Sequence, residues 1–135
     1  MAVQLSTTVR NAELNAIETS IGATAVLKIR SGAQPADVAT ADSGTVLATL
    51  TLPSDWLAAA ASGAKAKAGT WSDTSADATG TAAHFRVYAS DGTTQHIQGS
   101  VTITGGGGDM TLDSLSVTAA QTVTITGFTL TAGNA

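Results

Sequence analysis

The run Thr122-Val123-Thr124-Ile125-Thr126-Gly127-Phe128-Thr129-Leu130-Thr131 alternates threonine with apolar residues. Successive side chains of a strand point to opposite faces, so such a run buries one face and presents threonine on the other. Val101-Thr102-Ile103-Thr104 repeats the pattern earlier in the chain. Because threonine is polar, uncharged and stiff at χ1, the pattern indicates a durable surface more than a reactive one.

The same run contains a change of parity. Val123 and Ile125 occupy odd positions, whereas Phe128 and Leu130 occupy even ones. Both pairs can face one core only if the strand contains an extra residue between them. We therefore predict a β-bulge or a sheet corner near Thr126-Gly127.

Outward from this run, further short segments have strand-like composition and are separated by turn residues. They are residues 25–30, 45–52, 64–71, 110–112 and 114–118. With a hairpin and the final run they make about seven or eight strands, many of them antiparallel. The prediction is a mainly β fold, an antiparallel β-sandwich or jelly-roll-like architecture with a short N-terminal helix.

The hairpin is predicted around Ser90-Asp91-Gly92, a three-residue loop with the glycine in the left-handed conformation. This loop pairs Phe85 with Ile97 and Arg86 with His96. A two-residue loop would place apolar and polar residues on the same face, so we favour the longer turn.

The only two histidines, His84 and His96, fall on one polar face in that register. One hypothesis is a metal-binding or acid–base pair, which would need a third ligand. No carboxylate flanks either histidine on its strand. We favour the alternative, an ordinary polar sheet face.

Two helices are predicted. The first spans residues 6–21, with Ser6 or Thr7 as its N-cap and Gly22 as its C-cap. The second, shorter helix spans residues 54–61, which are rich in alanine. The resulting organisation is an N-terminal helical arm (1–22) followed by a β-sandwich domain (23–135).

Composition excludes several classes of protein. The chain has 135 residues, a net charge of −4 and six scattered basic residues, which argues against nucleic-acid binding. It has no cysteine, so disulfides and thiolate catalysis are excluded. No apolar run reaches membrane-spanning length and no secretory signal is visible, so we expect the protein to stay in the cytoplasm unless a larger assembly carries it.

No pattern in the chain indicates catalysis. Gly105-Gly106-Gly107-Gly108 lacks the Lys-Ser/Thr pair of a phosphate-binding loop and is interpreted as a flexible connection. The aspartates fall mostly in loops, where they favour turns, although a weak calcium site is an alternative. We therefore expect no enzymatic activity, no cofactor and no metal.

The two tryptophans and two of the lysines each have two interpretations. Trp56 and Trp71 are predicted to anchor the core, with sugar stacking as the alternative. Lys65 and Lys67 are predicted to point outward from their strand. They form either a solvated face or a patch that docks on an acidic partner.

Several stretches resemble a known group of proteins. They are Thr81-Ala82-Ala83-His84-Phe85-Arg86-Val87-Tyr88, Gln95-His96-Ile97-Gln98-Gly99, Gly106-Gly107-Gly108-Asp109-Met110-Thr111-Leu112, the opening 1–22 and the ending 126–135. Together they resemble small virion proteins encoded among the structural genes of tailed bacteriophages. The resemblance implies a particle component. We favour a capsid decoration (cement) protein that binds the major capsid protein as a homotrimer, on the virion surface after assembly in the host cytoplasm.

The expected contact with the capsid is the N-terminal helix, because it is mildly apolar, terminal and distinct from the β body. The predicted partner-binding residues are Leu5, Val9, Arg10, Ile17, Lys65 and Lys67. The alternative is a tail or fibre module that binds a host surface or other tail proteins. A sugar-binding version of it would need Trp56, Trp71 and Tyr88 to be exposed.

Overall fold

The computed structural model describes residues 3–133, beginning with helix α1 (Thr7–Ile21). The Ser6 hydroxyl caps its first turn by accepting a hydrogen bond from the Val9 N–H at 3.3 Å. Gly22, with φ 93°, ends the helix and donates its N–H to the Glu18 carbonyl. Both predicted caps are confirmed. The division into a 1–22 arm and a 23–135 domain stays a prediction, and its residues 1, 2, 134 and 135 lie outside the described residues.

Ten short strands follow the helix within residues 3–133. They are β1 (Val26–Arg30), β2 (Val46–Thr51), β3 (Ala64–Ala66), β4 (Ser72–Asp73), β5 (Gly80–Thr81), β6 (His84–Tyr88), β7 (Gln95–Ile103), β8 (Met110–Leu112), β9 (Ser116–Val117) and β10 (Val123–Thr131). The main sheet has the order β2-β1-β6-β7-β8-β10-β3, with β4 also paired to β10, and β5 pairs with β9. With 37% strand and 11% helix, the mainly β prediction is confirmed.

The main sheet curls until its two ends meet. The Thr49 N–H of β2 donates to the Asp73 carboxylate of β4 at 3.1 Å, although β2 begins the strand order and β4 pairs with β10 near its other end. Nearby, the Asp77 N–H donates to the Leu47 carbonyl at 2.8 Å. The curled sheet thus encloses its core as a sandwich does.

Aromatic rings form the centre of this core. Trp56 and Trp71 lie 6.0 Å apart between ring centroids, and Phe128 is 5.6 Å from both Trp71 and Phe85. All four side chains are buried. The predicted role of the tryptophans as core anchors is confirmed.

The predicted bulge in β10 is present. Ile125 pairs with Leu112, but Gly127 pairs with Thr111, so Thr126 is the extra residue. This insertion keeps Ile125 and Phe128 in the core despite their opposite parity.

The predicted hairpin register is wrong by two residues. Phe85 pairs with Gly99, and Ile97 pairs with Val87. One residue of the difference lies in the loop, since Ala89 pairs with Thr94 and leaves four residues between them. The other is a bulge at His96, between the Val87–Ile97 and Tyr88–Gln95 pairs. Two insertions restore the parity, so the predicted apolar face is kept while every pair changes.

The predicted helix over residues 54–61 is wrong. Leu57 and Ala61 instead form isolated bridges with 67 and 64. Side chains of α1 accept hydrogen bonds from backbone N–H groups of this segment. Glu18 accepts from the Leu57 N–H at 3.0 Å, and Asn15 accepts from the Ala60 N–H at 3.1 Å. Tertiary hydrogen bonds therefore override the helix propensity of alanine.

The tetraglycine stretch connects β7 to β8, as predicted, but it packs against β7 rather than hanging free. The Gly108 N–H donates to the Thr102 hydroxyl at 3.0 Å. A Cβ at Gly108 would lie 2.8 Å from the Thr102 methyl carbon, so a larger residue does not fit without rearrangement. This close approach lets β8 return parallel to β7, with Val101 beside Met110.

Candidate functional site

The six predicted partner-binding residues occupy different environments. Val9 is 45% exposed on α1, whereas Ile17 is half-buried against the core. Arg10 donates from Nη1 to the Ala132 carbonyl at 3.4 Å, which links α1 to the end of β10. Leu5 is half-buried just before the helix. Partner binding by these residues stays a prediction, and Val9 is the most accessible apolar member on the helix.

The outward orientation predicted for Lys65 is wrong. Its side chain is 3% exposed and forms an ion pair with Glu18 at 3.0 Å. The ammonium also donates to Asn15 Oδ1 at 2.9 Å and to the Ala58 carbonyl at 2.8 Å. Lys65 therefore fastens α1 to β3 and is enclosed by the chain itself.

The pKa of Glu18 is consistent with this fastening role. Burial of the carboxyl raises its pKa, but the hydrogen bond from the Leu57 N–H and the nearby Lys65 ammonium outweigh that effect. The net result is a pKa below the ordinary value. The carboxylate thus stays charged beside its buried partner.

Lys67, in contrast, stays at the surface. Its ammonium donates to the Gly69 carbonyl at 2.9 Å and lies 6.0 Å from the centroid of the Trp71 ring. Only Lys67 of the two predicted lysines is accessible to a partner.

An open groove of about 360 Å³ runs between α1 and the sheet. Its apolar lining comes from the helix, from β7 and from β10, and two titratable residues complete it. The lining residues are Glu13, Ala16, Ile17, Ser20, Ile21, His96, Ile97 and Leu130. The groove is large enough to accept an apolar side chain, and it includes the predicted residue Ile17.

The two histidines do not form a pair. His84 is 1% exposed and its Nδ1 lies 3.0 Å from the Gly32 carbonyl oxygen. His96 is exposed at the bulge and lines the groove beside α1. Within residues 3–133, no group of three or more His, Cys, Asp or Glu side chains is arranged to hold a metal ion.

A polar cluster that was not predicted from the sequence lies where residues 31–45 cover the sheet. It is here called the polar clamp and consists of Arg30, Arg86, Tyr88 and Gln98 from the strands and the partly exposed Asp42 from the covering segment. Arg86 is 0% exposed, and its Nη1 lies 2.9 Å from Asp42 Oδ1. The same guanidinium donates to Gln98 Oε1 at 3.1 and 2.9 Å. Asp42 also contacts Arg30 Nη2 at 2.7 Å and accepts from the Tyr88 hydroxyl at 2.9 Å.

The charged groups of the polar clamp shift the pKa values of Asp42 and Tyr88. Burial raises the pKa of Asp42, but the Tyr88 hydroxyl and the Arg30 and Arg86 guanidinium groups outweigh it, so the pKa is lowered. Burial and Asp42 together raise the pKa of Tyr88 above its ordinary value. Asp42 is therefore ionised and Tyr88 is a neutral donor at neutral pH.

The sequence did contain one sign of the clamp. Alternation in β1 and β6 places Arg30, His84, Arg86 and Tyr88 on one face, where a polar surface was expected. No local pattern shows that residues 31–45 fold back over this face, because that contact depends on the tertiary arrangement.

A second polar feature lies at the surface, where three threonine hydroxyls meet. The Thr126 hydroxyl is 2.7 Å from that of Thr104 and 2.9 Å from that of Thr111. Ile103, next to this cluster in sequence, is 52% exposed. The cluster thus presents hydroxyl groups at the surface, and Asp109 lies near Thr111.

Comparison with protein-family models, with curated proteins and with solved structures finds no match to this chain. Within residues 3–133, no helix has the length and apolar character that a membrane span requires. The accessible surface and the buried groups are therefore the basis on which a function is inferred.

Proposed function

We propose that this chain is a non-enzymatic structural protein of a bacteriophage virion, a capsid decoration (cement) protein that binds the outside of the major capsid protein lattice. The stretches that resemble virion proteins support the family, and the β-rich fold accords with it. The carrying observation is the apolar Val9, which is 45% exposed on a helix that the buried Lys65–Glu18 ion pair holds against β3.

The physical argument concerns the cost of desolvation. A charged group loses strong hydration when a partner covers it, whereas threonine and isoleucine lose much less. This chain uses several charged groups internally, including Lys65 and Arg86. An accessible apolar side chain such as Val9 can therefore be covered by a second protein at low cost.

Stabilisation of a shell follows from linkage. A protein that binds the mature lattice but not the disassembled subunits lowers the free energy of the lattice. A homotrimer would contact several capsid subunits at once, and multivalency would strengthen contacts that are individually weak. We propose this trimeric arrangement for the chain on the virion surface.

The outer side of α1 is the proposed capsid contact. Asn11 accepts from the Gly63 N–H at 2.9 Å, and Asn15 and Glu18 hold the same 57–65 region. These bonds fix the orientation of the helix, so Val9 is presented on a rigid support. A preorganised contact loses less conformational entropy on binding than a mobile one.

The alternative is a tail or fibre module. Its sugar-binding version requires exposed aromatic rings, but Trp56, Trp71 and Tyr88 are all buried. A tail protein that binds other tail proteins remains a competing proposal, and the location of the chain in the particle distinguishes it from a capsid protein.

The test is a particle-binding assay with Val9→Asp. A charge at this accessible helix position should leave the fold and the thermal midpoint nearly unchanged but reduce occupancy on purified capsids, because a carboxylate would be desolvated at the contact. The matched control is Ala119→Asp in an exposed turn, which should bind as the unsubstituted protein does.

Equal occupancy of both variants would exclude the outer side of α1 as the contact. Electron cryo-microscopy of the particle adds a direct measurement, in which density on the capsid supports the proposal and density confined to the tail overturns it. Native mass spectrometry of the isolated chain tests whether a trimer forms before docking.

A further inference from the structure

His84 is held in a defined tautomer. Its Nδ1 lies 3.0 Å from the Gly32 carbonyl oxygen, and a carbonyl can only accept a hydrogen bond. The Nδ1 atom therefore carries the proton of the neutral ring. Nε2 is then a bare acceptor, and it is buried with no hydrogen-bond partner.

The surroundings of Nε2 disfavour a positive charge. Arg30 lies directly opposite His84 in the β1–β6 pair, and its Nε is also buried without a partner. Arg86 lies two residues along β6, on the same face. These two guanidinium groups already share the single carboxylate of Asp42.

On its other side, His84 pairs with Ser100 of β7. The Asp109 carboxylate accepts hydrogen bonds from the Ser100 N–H and hydroxyl, both at 2.8 Å. These two hydrogen bonds hold the Asp109 carboxylate against Ser100 of β7. The charged groups around His84 are thus Arg30, Arg86, Asp42 and, beyond Ser100, Asp109.

Residues 31–45, which cover this face, depend on side chains for their attachment. His84 binds the Gly32 carbonyl, Gln98 donates to the Pro35 carbonyl at 2.9 Å, and Arg86 donates to the Asp37 carbonyl at 3.0 Å. The Asp42 carboxylate and the Ser43 carbonyl, which accepts from Arg30 Nη1 at 3.4 Å, supply further anchors. A change in the charge of this face therefore acts directly on the attachment of the segment.

We propose that His84 is an acid-sensitive latch, and that protonation of its Nε2 loosens residues 31–45 from the face formed by β1, β6 and β7. The added proton would place a third cation beside Arg30 and Arg86, with Asp42 as the shared counter-charge. This inference does not depend on the proposed virion role.

The pKa of His84 agrees with this geometry. Burial lowers the pKa first, and Arg30 and Arg86 lower it further, while the Gly32 carbonyl and Asp42 partly oppose them. Because the closed state has the lower pKa, the open state binds the proton first as pH falls. The closed state is fully favoured above the ordinary histidine pKa of about 6.5, and this stabilisation is lost as pH falls below it.

The test uses amide hydrogen exchange of the full chain at about pH 7.5 and about pH 5.5, corrected for the intrinsic exchange rate. Residues 31–45 should exchange severalfold faster at the lower pH, while α1 should not change. In His84→Asn the acceleration should disappear. The matched control is His96→Asn, because His96 is the exposed histidine and its loss should leave the acceleration in place.

An acceleration that persists in His84→Asn, or that His96→Asn removes, would overturn the proposal. Histidine NMR titration of the unsubstituted protein provides a second measurement if His84→Asn does not fold. The His84 ring should titrate below the ordinary range, together with the amide signals of residues 31–45. An ordinary His84 titration with no change in those amides would also overturn it.

Discussion

The two faces of strand β6 are both buried, and they differ in what covers them. On one face, Phe85 and Val87 pack in the apolar core, where Phe85 meets the ring of Phe128 edge to face. On the other, Arg86 and Tyr88 are covered by residues 31–45 through hydrogen bonds and ion pairs. The same strand therefore lies between a packed interior and the polar clamp.

Substitutions on these two faces should change the free energy of unfolding for different reasons. Apolar burial stabilises in proportion to the area removed from water, so truncation costs the lost area plus a cavity. A buried ion pair contributes little net energy, because desolvation offsets the attraction, yet removal of one partner is costly. The apolar face therefore supplies stability, and the clamp specifies where residues 31–45 lie.

The largest effect is expected on the apolar face, from Trp71→Ala. Removing the ring should destabilise the fold by about 3–5 kcal/mol, because Trp71 contacts both Trp56 and Phe128 and its truncation leaves a large cavity. Urea unfolding followed by circular dichroism measures the change. Trp71→Phe, which retains an aromatic ring, should cost clearly less, and equal losses would show that ring packing is not the cause.

Arg86→Ala should have the next largest effect, about 3 kcal/mol. It leaves Gln98 and the Asp37 carbonyl without their donor, although the partly exposed Asp42 can regain water. The same unfolding measurement applies. Lys67→Ala is the control, because this accessible cation should cost less than about 1 kcal/mol. Similar losses in the two variants would mean that the clamp is no stronger than a surface contact.

Asp42→Asn should have the smallest effect at neutral pH, about 1 kcal/mol, because the amide retains one acceptor and the site is partly exposed. Its clearer effect concerns acid. The lowered pKa of Asp42 means that its stabilisation is present above the ordinary aspartate pKa of about 3.9 and is lost as pH falls through the folded value.

The free energy of unfolding of Asp42→Asn should consequently fall less steeply below about pH 4 than that of the unsubstituted protein. Asp113→Asn, at an exposed loop position, controls for the loss of one negative charge. Identical acid dependence in Asp42→Asn and the unsubstituted chain would show that the clamp does not hold the carboxylate in its charged form.

Local features of the fold could be predicted because neighbouring residues cause them. The caps at Ser6 and Gly22 and the bulge near Thr126-Gly127 each depend on a few adjacent side chains or on parity along one strand. The hairpin was harder, since its register depends on two insertions, and only the left-handed Gly92, with φ 70°, was predicted correctly in detail.

The candidate surface was predicted less well, because exposure is a property of the whole molecule. Lys65 alternates as an outward residue should, but α1 packs over it and supplies Glu18 as its counter-charge. The alanine-rich 54–61 segment is non-helical for the same reason, since α1 side chains take its backbone donors. Both errors arise where the N-terminal helix packs against the sheet.

Alternation, parity and capping in this chain were sufficient to establish a mainly β molecule with a leading helix, a bulged final strand and tryptophans in the core. Tertiary contacts alone placed residues 31–45 over Arg86 and α1 over Lys65. The physical reason is that a strand pattern shows which side chains share a face, whereas burial of that face requires another part of the chain to supply matching hydrogen bonds and charges.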